Sequence, residues 1–125
     1  MPPIHRLARM LPSVAALAGV LVISFSPARA EKDAAFFIAM YARSPTDRAW
    51  IEDYLGANYN GLSWANADLQ SKNLPPLFCQ PVQFVPTNNQ LYDIVKRQSE
   101  ADQEIKTLPF GAALLRSLQK VFPCV

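Results

Sequence analysis

Two cysteines, Cys79 in "LFCQP" and Cys124 in "VFPCV", and one histidine, His5, are where covalent, metal or acid–base chemistry would fall first. The cysteines have neither the close spacing nor the histidine partners of a metal or redox site. Glu52 and Asp53 are the tightest carboxylate pair, but neighbours on a helix point about 100° apart and read as a solvated face. Gly56 and Gly61 lack the spacing and the preceding strand of a phosphate-binding loop. The residues therefore predict no catalytic centre, no metal and no cofactor, and a protein that is not an enzyme.

His5 also belongs to a segment expected to be lost. Residues 1–30 read as a secretory signal: Arg6 and Arg9 form the basic start, Leu11 to Phe25 the apolar run, and Ala28-Arg29-Ala30 a small-x-small cleavage site. The run is shorter than the roughly 20 apolar residues a bilayer core demands, and Pro12, Gly19 and Pro27 interrupt or end it. The mature chain is predicted to begin at Glu31 and to form one domain over 31–125, with no membrane attachment after cleavage. Its composition differs from that of the precursor. Lys plus Arg falls from 12 to 9 as Arg6, Arg9 and Arg29 leave, against 10 acids, for a net charge of −1. With no basic excess and no Lys/Arg stripe among aromatics, nucleic acid is not an expected partner.

Export places the two cysteines in an oxidising compartment, where a Cys79–Cys124 disulfide is the expected state and two free thiols the alternative. Closing a loop of that size removes about 4 kcal/mol of denatured-state entropy, as an upper figure. A mature domain this small is also one that benefits from a covalent staple.

Four helices or so are expected to position these residues. The first lies in "EKDAAFFIAMYA", with Phe36, Phe37, Met40 and Tyr41 on one side. The second starts at Ser44 as N-cap, with Pro45 at the first helical position and Asp47 in the capping-box place, and carries Trp50, Tyr54, Ala57 and Gly61 at three- or four-residue steps. Gly56 and Gly61 cost helix propensity, so a close approach by another helix is the packing reason to expect there. The third runs through "TNNQLYDIVKRQSEADQEI", capped by Thr87 and Gln90, with Leu91, Ile94, Val95, Ala101 and Ile105 inward and Asp93, Lys96, Arg97, Glu100 and Glu104 outward. The fourth begins at Thr107 or Leu108, turns Ala112, Leu115, Leu118 and Phe122 inward, and stops at Pro123. No stretch alternates with the period of a half-buried strand, so the class is an all-α small bundle with one disulfide.

"WIEDYLGANYNGLSWAN", "LFCQP", "TNNQLYDIV" and "LPFGAALLRSLQKVFPC" resemble, in order and spacing, the Rap/Tai immunity proteins, small exported helical proteins that neutralise peptidoglycan amidases delivered by type VI secretion. The resemblance spans Trp50 to Cys124, and its most specific features are Cys-x-Pro after an aromatic and the terminal Phe-Pro-Cys. Family members often carry a further cysteine pair; here Ile51 stands at the corresponding position and no cysteine lies upstream. The resemblance implies a periplasmic binding protein, often homodimeric, that plugs the cleft of a cognate amidase toxin. It also implies structural roles for Tyr54, Gly56 and Gly61 beside the Cys79–Cys124 pair.

The stretch from Lys72 to Pro86 holds four prolines and is the expected long loop. A cleft-filling inhibitor needs a rigid protruding element, and Gln80, Gln83 and Phe84 of this loop are the candidate partner-binding residues, while Phe78 is expected to pack down. The polar face around Lys96 and Arg97 is the fallback surface. Trp50, Tyr54, Tyr59 and Trp64 are expected to be mostly core, with one or two exposed anchors as the alternative. A second functional class fits the same sequence: a periplasmic helical stress chaperone that binds unfolded clients through apolar surface.

Overall fold

The computed structural model describes residues 31–125; the predicted signal segment and its cleavage site lie outside the described residues. The described chain is all-α, with α1 (Ala34–Tyr41), α2 (Pro45–Ser71), α3 (Asn88–Ala101), α4 (Gln103–Thr107) and α5 (Phe110–Val121). The expected four helices become five because the third is interrupted. Asp102 leaves helical geometry at φ −140° and ψ 110°, and its carboxylate accepts from the Glu104 N–H at 2.9 Å, capping α4. Ala101, expected inward, is exposed at that break, while Ile105 is buried from α4 as predicted.

The start signals operate as their chemistry requires. Ser44 Oγ accepts from the Asp47 N–H at 3.0 Å with Pro45 leading α2. Thr87 and Gln90 form a reciprocal capping box at the head of α3. At the other end of α2, Asn73 takes a left-handed φ of 56°, which asparagine tolerates better than most residues. Its neighbour Leu74 then donates to the Leu69 carbonyl at 2.9 Å, and Asn73 to Gln70 at 3.0 Å, closing the helix in a Schellman turn.

Residues 32–34 pair antiparallel with 108–110: Ala34 N–H donates to Leu108 O at 3.0 Å and Phe110 N–H to Lys32 O at 3.2 Å. This clamp seats Phe110 in the core. Its ring stacks on Phe37 at 4.5 Å, and Ile51, Leu55, Leu91, Val95, Leu114 and Leu118 fill the space around the pair. Because Phe110 is the anchor, α5 buries Ala113, Leu114, Ser117 and Leu118; of the expected set, Ala112, Leu115 and Phe122 are only half-buried. Truncating Phe110 to alanine would cost about 3–5 kcal/mol, the usual range for a buried aromatic.

α2 is about 40 Å long at 1.5 Å per residue, and its only fully buried residues are Ile51 and Leu55, both in its first half. Its second half is a buttress. One face supports the loop that follows and the other lies open beside α5.

Candidate binding surface: a preformed loop on a helical buttress

The loop between α2 and α3 is built by polar side chains. Asn66, in the buttress half of α2, uses both ends of its amide: Nδ2 donates to Phe78 O at 2.9 Å, and Oδ1 accepts from the Leu77 N–H at 2.6 Å. Gln119 of α5 donates to Leu77 O at 3.2 Å from the other side. This grip turns Phe78 into the core, where it is 3% exposed, as expected for the residue beside the disulfide. Cys79 and Cys124 are bonded, with their Cα atoms 4.9 Å apart, and the Cys79 N–H donates to Phe122 O at 2.8 Å.

Beyond Cys79 the chain makes a tight turn, Phe84 N–H to Pro81 O at 3.0 Å, with Val82 and Gln83 at its corner. Gln80 spans that turn from inside. Its Oε1 accepts from the Tyr59 hydroxyl at 2.8 Å, and its Nε2 donates to the Phe84 carbonyl. The Phe84 ring packs on Phe122 with centroids 5.5 Å apart.

The three candidate contact residues thus have different surroundings. Gln80 is occupied in holding the turn, Phe84 is half-buried against α5's end, and Gln83 is exposed at the corner. The loop residues displayed most fully are Val82, an apolar side chain that could have packed down or stood out, at 92%, and Val85 at 77% exposure. The one sequence signal for Asn66 is an amide in mid-helix ahead of a proline-rich loop, which becomes meaningful only when the loop folds back onto it.

The two tyrosines pack against the core while both tryptophans are exposed, Trp50 at 49% and Trp64 at 69%, which is the alternative of one or two exposed side chains. The stripe Trp50, Tyr54, Ala57, Gly61 follows the predicted helical steps, but the fully inward face is one position round, at Ile51 and Leu55. Tyr54, Ala57, Gly61 and Leu62 instead form one wall of a groove of about 660 Å³ whose other wall is Gly111, Ala112 and Leu115. Of the two glycines, only Gly56 meets a neighbour. A Cβ there would run into the Asn88 side chain, whereas nothing lies within 4 Å of one at Gly61.

Glu52 accepts from the Tyr41 hydroxyl at 2.6 Å, and Asp53 faces solvent, so the adjacent carboxylates do not converge. Burial first, and then the bond to Glu52, raise the Tyr41 hydroxyl above its ordinary pKa; Tyr54 is raised in the same way by burial and Glu31. Asp102 is held below the usual carboxylate range, first by the hydrogen bond from Lys120 and then by the Glu104 N–H. Among the described residues no three His, Cys, Asp or Glu side chains are grouped to hold a metal, and no helix is long and apolar enough to cross a membrane.

No family model, curated protein or solved structure matches the chain.

Proposed function

We propose that the protein is an exported immunity protein of the periplasm that binds and inhibits a peptidoglycan amidase toxin delivered by type VI secretion. The observation that carries this proposal is the loop from Leu77 to Val85, ordered before any partner arrives by Asn66, Gln80, Gln119 and the Cys79–Cys124 bridge. An inhibitor that fills a concave site gains affinity when its inserting element is already ordered, since association then costs no loop entropy. The disulfide is in keeping with an oxidising compartment. The motif resemblance supplies the class of partner.

The test is direct. The genes flanking this one are searched for a Cys-His amidase, the protein starting at Glu31 is mixed with any that is found, and both binding and cleavage of peptidoglycan are measured. Nanomolar binding with loss of cleavage is expected; an amidase that stays unbound and fully active overturns the proposal.

A periplasmic chaperone that binds clients through apolar surface is the competing function, and the exposed Trp50, Trp64 and Val82 side chains are the observation that favours it. Such a protein opens near pH 2–3 and then prevents aggregation of unrelated unfolded proteins. An immunity protein need not open in acid.

A further inference from the structure

We propose that leader removal leaves a terminus that is itself part of the fold: Glu31 and Lys32 act as the cap of α5, and the position of the cut sets the stability of the domain. This goes beyond the proposed function and holds whatever partner the protein meets.

α5 begins without a cap of its own. Pro109 stands in the N-cap position and makes no side-chain cap, and the first turn of the helix holds no acid. The first N–H groups of a helix need acceptors from outside it, and here they come from the other end of the chain. Phe110 N–H donates to the Lys32 carbonyl at 3.2 Å, and Gly111 N–H donates to Glu31 Oε1 at 3.2 Å. The same carboxylate accepts from the Tyr54 hydroxyl, so it ties α2 to α5. Its negative charge also suits the positive end of the α5 dipole. Position 111 is fitted to this use. A Cβ there would stand 3.1 Å from Asn58 Oδ1 and 3.6 Å from Glu31 Oε2, crowding the approach of the carboxylate.

The residues that follow are engaged as well. The Lys32 ammonium lies over the Phe36 ring, 5.6 Å from its centroid, and Asp33 Oδ1 accepts from the Phe36 N–H at 2.9 Å to cap α1. Counted from the predicted cut, the first, second and third residues all make contacts that the helices depend on, so the processed chain has no slack at its start. Glu31 is nevertheless exposed. Hydrolysis of the single bond between Glu31 and Lys32 by an exopeptidase would take the carboxylate away, directly in front of the fully buried Phe110.

The experiment uses chains released from a cleavable fusion so that they begin at Glu31 or at Lys32, together with Glu31→Ala in the longer form. The Lys32 form is expected to melt about 4–8 °C below the Glu31 form, the shift that loss of one helix cap brings in a domain of this size. Glu31→Ala, which keeps the chain length and the Lys32 carbonyl, should fall by a similar amount and remains measurable should the shorter form not fold. Amide exchange at Gly111 is expected to be slow in the wild type and at least about tenfold faster in Glu31→Ala. Glu31→Ala melting with the wild type, or unchanged exchange at Gly111, overturns the cap. Mass spectrometry of the exported protein is the remaining measurement. A chain beginning at Glu31 is expected, and one beginning at Lys32 or later overturns the link between the cut and the cap.

Discussion

The backbone N–H of Cys79 donates to the carbonyl of Phe122 at 2.8 Å, so the loop joins the end of the last helix through main chain as well as through sulfur. The disulfide adds stability through the denatured state as well, where it shortens the free chain. Reduction is therefore expected to lower the melting temperature by about 10 °C or more. Amide exchange at Cys79 should nevertheless stay slow in the reduced protein at room temperature. Unchanged melting in reductant would show that the bridge adds nothing.

Asn66 holds the same loop from α2. Asn66→Ala leaves the Phe78 carbonyl and the Leu77 N–H without partners in a half-buried site, at a cost of about 1–3 kcal/mol in urea denaturation. Asn66→Asp keeps the acceptor for Leu77 but sets a carboxylate against the Phe78 carbonyl, and is expected to be at least as destabilising. Fast exchange of the Leu77 amide in both variants is the accompanying signature.

Gly61→Ala is expected to stabilise the protein by about 0.5–1 kcal/mol, because alanine is the better helix former and its methyl meets open space. Gly56→Ala gains the same propensity but displaces the Asn88 side chain, so its gain should be smaller. Thermal melts of the two variants side by side check the order.

Asp102 couples stability to acid. Its folded carboxyl titrates below the ordinary value, so its contribution is complete above about pH 4 and disappears as pH falls through the lower folded value. Asp102→Asn should lower the melting temperature at pH 7, by removing the partner of Lys120 and weakening the α4 cap, and should flatten the acid limb below pH 4. A melting curve for the variant that falls with acid as steeply as the wild type would refute this.

Within the loop, Gln80→Ala and Gln83→Ala should separate. Gln80→Ala removes the brace between Tyr59 and the Phe84 carbonyl and is expected to lower both melting temperature and amidase affinity. Gln83→Ala should leave melting unchanged and weaken binding about tenfold, or 1.4 kcal/mol. Phe84→Ala falls between them, since its ring supports Phe122.

The sequence alone determined the helical class, the caps at Ser44 and Thr87 and the proline-rich loop, because each follows from local chemistry, and the cysteine pair, because the chain has only two cysteines. A side-chain oxygen near three free N–H groups, or a proline that has no N–H to give, acts within a turn of its own position. The faces were decided elsewhere. Which of Trp50 or Ile51 points inward differs by one residue of helix rotation, and the stacking of Phe110 on Phe37 across the chain settles it. The roles of Asn66 and Gln80 likewise depend on groups 11 to 42 residues away in sequence: Leu77 meets Asn66 and Gln119, and Gln80 meets Tyr59. Periodicity records that a helix has an apolar side, but the packing partner fixes where that side begins and ends. Val82 is exposed for the same reason: Phe78 is drawn inward and the turn from Pro81 to Phe84 closes behind it.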